Sequence, residues 1–181
     1  MCKIKKFLNK YSLIIALAVL SPIIIAPFVY ALDEQSVAAT VTVTNVSLTV
    51  SDGTIAYGTL STSTTKDTTT ASLQLDDSQT VTNNGNVAID VKVKATADAN
   101  VSPWSIGASV DSEVYTHKTC VTTCDSSPSW TAMTTSYGSA ILSNIVAEDT
   151  ADVDFQIGTP SSTASFTEKS VNVYLMAIEH T

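Results

Sequence analysis

Residues 87–94 read VAIDVKVK, and this stretch decides the class of the fold. Its apolar residues stand at every second position from 87 to 93, with Asp90, Lys92 and Lys94 between or after them. Successive side chains of a β-strand point to opposite faces of a sheet, so the alternation is typical of a strand with one buried face and one solvated face. Such strands belong to antiparallel sheets that cover a core on one side.

The segment before this strand carries a turn signal, NNGN at residues 83–86. A three-residue loop over 83–85 would pair Val81 with Val87 and keep the apolar residues in phase. We therefore expect a hairpin with Gly85 in the left-handed conformation. The alternative is that the chain crosses to a second sheet at this point.

Other strand patterns occur on both sides of this region. Alternation over residues 41–44 changes phase at Asn45 before it continues over 46–50, which predicts a strand with a bulge or a bend near Asn45. The apolar run 171–177 predicts a strand that is buried on both faces. Residues 61–70 contain no apolar side chain and predict an exposed loop.

The composition agrees with a fold made of strands. About a third of residues 32–181 are Ser or Thr, and the branched Thr side chain favours sheets over helices. About nine short strand patterns are separated by turn signals, which is the spacing of a sandwich. The sequence therefore predicts an all-β fold over residues 32–181: a single antiparallel β-sandwich, Ig-like or jelly-roll, after an N-terminal signal helix.

The first 31 residues have the pattern of a secretion signal. Four Lys precede or begin an apolar run over residues 11–31, the order that the export machinery recognises. Val29 and Ala31 place small residues where a signal peptidase selects them, so we expect cleavage between Ala31 and Leu32 and an extracellular or cell-surface location. The alternative is an uncleaved anchor, because about 20 apolar residues can span a bilayer.

Cleavage would leave a strongly acidic protein. Five Lys and no Arg would then face seventeen Asp and Glu, for a formal charge of −12 compared with −8 for the whole chain. A surface of this charge repels nucleic acid and anionic lipid. We therefore exclude nucleic acid as a partner, and we expect membrane contact only through an uncleaved N-terminal segment.

Cys120 and Cys124 are the one cysteine pair after the leader. In an exported protein such a pair normally oxidises, so we expect a disulfide that closes a small loop. The alternative is a redox or zinc site. Three residues separate the cysteines where a redox pair usually has two, and His117 is the one further ligand nearby.

Motifs for catalysis are missing from the sequence. His117 and His180 are the only histidines, and neither an HExxH zinc motif nor a GxSxG nucleophile motif is present. We therefore predict that the protein is not an enzyme and needs no cofactor.

Two sets of residues are candidates for ligand binding. The acidic segment 148–154 offers carboxylates that suit Ca²⁺, with the candidate ligands Glu148, Asp149, Asp152 and Asp154. The alternative is a solvated strand face. Trp104 and Trp130 are candidates for a platform on which a sugar ring stacks, and the alternative is that they fill the core.

The stretch TNNGNVAIDV at residues 82–91 resembles the strand–turn–strand segment of bacterial and archaeal immunoglobulin-like surface domains. Together with YGTL at residues 57–60, it is also similar to the camelysin-like family of extracellular matrix-fibre subunits. That resemblance implies a jelly-roll sandwich with a cleaved leader, in which the N-terminal strand of one subunit completes the sheet of the next. Residues 32–50 would be this strand. Some members are labelled as peptidases, an activity that the missing zinc motif does not support.

These observations favour a secreted or cell-surface protein with a structural or adhesive role and no catalytic activity. Its partners would be copies of itself or other cell-surface proteins. One alternative is a fibre subunit that assembles by donor-strand exchange of residues 32–50. Another is an extracellular module that binds carbohydrate or calcium, with glycans as partners.

Overall fold

The computed structural model describes residues 35–71, 74–97 and 102–181, and all their regular structure is β-strand. The predicted secretion signal, residues 1–31, and the predicted cleavage site between Ala31 and Leu32 lie outside these ranges. The chain divides into a unit that ends at Val41 and a unit Thr42–Thr181 that holds every strand. In the described ranges we find no helix with the length and hydropathy to cross a membrane.

Ten strands form two sheets in this part of the chain, which confirms the all-β class. In chain order they are β1 (Leu48–Val50), β2 (Thr65–Asp67), β3 (Gln79–Asn83), β4 (Ile89–Ala97), β5 (Ser105–Ile106), β6 (Val114–Cys120), β7 (Thr131–Ala132), β8 (Leu142–Ile145), β9 (Thr150–Gly158) and β10 (Val171–Glu179).

The larger sheet has the order β1-β3-β9-β6-β5, with β2 also paired to β9 and β7 to β6. The smaller sheet has the order β10-β4-β8. The pairs are antiparallel except for the short pair of β5 with β6.

Both sheets contribute side chains to one hydrophobic core. The larger sheet supplies Val153 and Phe155, and β4 of the smaller sheet supplies Ile89, Val91 and Val93, all of them buried. The predicted inward phase of residues 87–94 is therefore confirmed from Ile89 onward.

The predicted hairpin over residues 83–85 is wrong, and the alternative of a crossing to a second sheet is confirmed, because β3 and β4 belong to different sheets. Asn83 is fully buried at this crossing. Its Nδ2 donates to the carbonyl oxygens of Val87 and Ile145, at 2.8 and 2.9 Å. Its Oδ1 accepts the Gly85 N–H at 2.9 Å. The side chain thus satisfies three backbone groups at the crossing, two carbonyls and one N–H.

Gly85 is required for a reason other than the expected one. The glycines with positive φ in the described residues are Gly53 and Gly58, so Gly85 is not in the left-handed conformation. A Cβ at position 85 would lie 2.2 Å from the carbonyl oxygen of Asn45. The close approach of these two backbone segments therefore demands glycine.

The stretch over residues 61–70 is only in part the exposed loop that its composition predicts: residues 61–63, 65 and 70 are exposed. It contains β2, which pairs with β9, and Thr68 and Thr69 are 0 % and 2 % exposed. The Thr68 hydroxyl donates to Asp154 Oδ1 at 2.8 Å and accepts the Phe155 N–H at 2.9 Å. The buried part of this segment is held in place by hydroxyl hydrogen bonds, which a search for hydrophobic periodicity in the sequence does not reveal.

Gly85→Ala tests the crossing directly. We expect the variant to lose about 1–3 kcal/mol in the free energy of unfolding, because the backbone must shift to relieve the contact with Asn45. Chemical denaturation followed by tryptophan fluorescence measures this loss.

Gly138→Ala is the matched control, since nothing lies within 4 Å of a Cβ at that position. Its free energy of unfolding should change by less than about 0.5 kcal/mol. Equal losses in the two variants, or no loss in Gly85→Ala, would contradict the packing described for the crossing.

Candidate functional site

Strand β10 lies at an edge of the smaller sheet. It pairs with β4 over nine residues, Val171–Glu179, and no other described segment pairs with it. The opposite edge of β4 is occupied by β8 and by residues 134–141, which form a backbone hydrogen bond at each of their ends to β4. Within the described residues, the smaller sheet is therefore open along β10.

The direction of the β10 backbone groups follows from the ladder. The His180 N–H donates to the carbonyl of Ala88, one step beyond the last strand pair. Bonded and non-bonded pairs alternate in an antiparallel ladder, so the even-numbered residues of β10 turn their backbone groups towards β4. The N–H groups of Val173, Leu175 and Ala177 therefore point to the open edge.

The side chains of β10 are apolar on both faces. Val173 and Leu175 pack against the core but are only partly buried. On the other face Tyr174 is 45 % exposed, and Met176 and Ile178 are half-buried. The prediction that residues 171–177 are buried on both faces is therefore wrong, because Asn172 and Tyr174 are exposed and the other residues of the run are only partly buried.

The N-terminal segment exposes a second set of apolar side chains. Residues 35–47 form no strand, so the predicted strand over 41–44 with its bulge is wrong, and β1 begins only at residue 48. Val37, Val41 and Val43 are 93 %, 90 % and 77 % exposed. These valines stand at odd-numbered positions, so in an extended conformation they would share one face.

Cys120 and Cys124 form the predicted bridge, with the two Sγ atoms 2.11 Å apart. Cys120 is the last residue of β6, and both cysteines are buried. Because the thiols are joined to each other, they are not free ligands for a metal shared with His117. Next to the bridge, the Asp125 carboxylate accepts the Thr70 N–H at 2.7 Å and so connects the cysteine loop to Thr70.

Within the described structure, the four candidate calcium ligands do not form one cluster. Asp154 is buried and accepts hydrogen bonds from Thr68 and Ser78, whereas Asp152 is exposed and accepts one from Thr80. The Asp149 carboxylate accepts the N–H of the next residue. Among the described residues no group of three or more His, Cys, Asp or Glu is placed to hold a metal ion. Glu148, the fourth candidate, has a positive φ of 65°. Calcium binding stays a prediction.

The two tryptophans are both half-buried. Trp104 Nε1 donates to the Thr163 hydroxyl at 2.8 Å, and its ring lies 6.2 Å from that of Tyr115, centroid to centroid. No ring contact joins Trp104 to Trp130 in the described part of the chain. Sugar stacking also stays a prediction.

His117 is packed inside the fold, with 3 % of its surface exposed. Its Nε2 lies 3.0 Å from the Tyr57 hydroxyl, and its ring lies 5.9 Å from that of Phe155. Its Nδ1 has no hydrogen-bond partner among the described residues. Burial lowers the pKa of His117 to about 4, so the ring is neutral at pH 7.

These observations single out two separate candidate surfaces, the open edge of β10 and the exposed residues 35–47. The sequence predicts the second surface but not the first, because an apolar run alone does not say whether a strand is central or at an edge. Searches against protein-family models, curated proteins and solved structures find no match to the chain.

The buried His117 predicts a dependence of stability on pH. Its pKa is about 4 in the folded protein and 6.5 when exposed, so the unfolded chain takes up a proton first as the pH falls. We expect the free energy of unfolding to fall between about pH 6.5 and pH 4, by about 1.4 kcal/mol per pH unit relative to His117→Gln. Denaturation series at pH 7, 6 and 5 measure the difference, and parallel pH profiles for the two proteins would refute it.

Proposed function

We propose that the mature chain is an exported, non-catalytic structural subunit of the cell surface that assembles with copies of itself. The N-terminal segment of one copy adds to the open edge of β10 in the next. The observation that carries the proposal is β10 itself, a nine-residue edge strand that is apolar on both faces. Addition of an extended segment to a sheet edge is a general mode of recognition.

The composition of β10 supports pairing. Edge strands of soluble proteins are usually protected by Lys, Pro, bulges or short length, because an open row of N–H and C=O groups pairs with other chains. β10 contains no Lys and no Pro, its one charged residue is Glu179 at its end, and its register with β4 is continuous. These features are typical of an edge that pairs with another strand.

The N-terminal segment has complementary properties. Residues 35–47 contain no charged residue, and Val37, Val41 and Val43 would lie on one face of an added strand. Next to β10, this face would extend the core-facing row that contains Val173 and Leu175. It would cover the apolar surface that a single copy leaves half-exposed.

Magnitudes indicate how tight such an addition would be. Burial of three valines contributes about 5 kcal/mol, at about 1.5–2 kcal/mol each. Loss of translational and rotational freedom costs about 4–15 kcal/mol. The valines alone therefore do not hold two copies together, and the main-chain ladder along β10 must supply the rest.

The finer description of the fold belongs to the same proposal. Two sheets that share one core suit a β-sandwich, Ig-like or jelly-roll, and an added strand would widen its three-stranded sheet. The resemblance of residues 82–91 to camelysin-like fibre subunits points in the same direction. A disulfide between Cys120 and Cys124 suits an oxidising compartment, and therefore supports export.

A pair of variants tests the donated segment in the secreted form, residues 32–181. Val41→Lys places a charge on the face that would be buried, so we expect filament formation to start at a concentration at least about tenfold higher. Thr42→Lys carries the same charge on the opposite phase and should assemble as the wild type does. Electron microscopy and sedimentation measure assembly. Equal assembly of the two variants, or a wild-type protein that stays monomeric at high concentration, would sink the proposal.

Ala177→Pro tests the accepting edge. Proline removes an N–H that points to the open edge and is not used in the ladder with β4, so the monomer should stay folded while its β10 no longer accepts a strand. Because its N-terminal segment is intact, a small fraction of Ala177→Pro should cap growing wild-type filaments and shorten them. Filaments of unchanged length would show that β10 is not the accepting edge.

A further inference from the structure

Asn86 holds the base of the N-terminal segment with three hydrogen bonds. Its side-chain Oδ1 accepts the Asn45 N–H at 2.7 Å, and its Nδ2 donates to the Val43 carbonyl at 2.8 Å. Its backbone N–H donates to the Asn45 carbonyl at 3.0 Å. Asn86 therefore binds the chain on both sides of Thr44, at the Val43 carbonyl and at the N–H and carbonyl of Asn45.

The side chain takes over where the β1–β3 ladder stops. The register pairs Leu48 with Asn83, so Asn45 stands opposite Asn86. In a regular antiparallel pair the carbonyl of residue 86 would accept the Asn45 N–H. The chain leaves for the other sheet at this point, and the Asn86 side-chain carbonyl accepts the bond instead. The absence of a Cβ at Gly85 lets the two segments approach closely enough.

The reach of Asn86 coincides with a boundary in the segment. From Val43 to Ser47 the backbone is bonded to residues 84–86. For residues 36–42 we find no hydrogen bond within the described structure, and Val41 is 90 % exposed. Asn86 therefore lies at the boundary between the hydrogen-bonded residues 43–47 and residues 36–42, which could pair with another copy.

We propose that Asn86 is a positioning residue for strand donation, an inference that rests on the proposed function. By ending the free segment at Val43, it fixes which donor residue lies opposite which residue of the neighbouring β10. The valines alone do not fix this register, because a slip of two residues keeps them on the same face. A slip of two residues needs about 7 Å of additional extended chain. Loss of the two Asn86 side-chain bonds would release Val43 and Thr44, two residues that span about that length, while the backbone N–H of residue 86 keeps its bond to Asn45.

Cross-linking measures the register. Val41→Cys is placed in the donor copy, and a single cysteine replaces Val173, Leu175 or Ala177 in separate acceptor copies. With Asn86 present, we expect one acceptor position to cross-link at least about tenfold more than the others, which corresponds to about 1.4 kcal/mol. In the Asn86→Ala background the cross-links should spread to a position two residues away.

Asn84→Ala is the matched control. Asn84 lies in the same turn and its side chain donates to the Thr49 hydroxyl, whereas the Asn86 side chain binds Val43 and Asn45. This variant should keep the single dominant cross-link. Asn86→Asp is the second test variant: it keeps an acceptor for the Asn45 N–H but loses the donor to Val43, so it should give an intermediate spread if Asn86→Ala proves too unstable to fold.

The outcomes separate the two proposals. An unchanged dominant cross-link in both Asn86 variants, or an equal spread in Asn84→Ala, would overturn the positioning role while strand donation stands. A folded wild-type background that forms no cross-link at any of the three positions would overturn strand donation, and the role of Asn86 with it.

Discussion

The hydrogen bonds of the buried Asn83 side chain stabilise the point at which the chain passes from one sheet to the other. Asn83 lies where β3 ends, and its amide satisfies two carbonyl groups and one N–H at the crossing. An unpaired buried polar group costs about 1–3 kcal/mol, so these bonds stabilise the crossing once Asn83 is buried there. β4 then starts the second sheet, and between the two strands Asn86 is hydrogen-bonded to Val43 and Asn45.

The same crossing explains why one sheet is small and open. The larger sheet receives β1 at its edge through β3, whereas in the described ranges the smaller sheet has β10 on one side of β4 and β8 with residues 134–141 on the other. No described segment is left to cover β10, although this strand has apolar residues on both faces and outward N–H groups. The exposed valines of residues 35–47 and the uncovered strand β10 are the two surfaces that the proposed strand donation would bring together.

Parts of this structure were predictable because they depend on local chemistry. The inward phase of β4 follows from alternation, and the bridge between Cys120 and Cys124 follows from the expectation that a lone cysteine pair oxidises outside the cytoplasm. The burial of Thr68 and Thr69 was not predictable, since Thr68 is held by its hydroxyl bonds to Asp154 and Phe155. Of the two candidate surfaces, one was predictable from the sequence and the other was not. The exposed alternating valines are visible in the sequence, but whether β10 is central or at an edge depends on contacts across the whole fold.

Amide hydrogen exchange along β10 shows whether its outer edge is open in the monomer and covered on assembly. In the monomer the N–H groups of Tyr174 and Met176 bond to β4, whereas those of Val173, Leu175 and Ala177 face the open edge. We expect the second group to exchange rapidly in the monomer and to become protected on assembly, while the first group is protected in both states. Outward amides that are already protected in the monomer, or that stay unprotected in the assembled protein, would contradict the account.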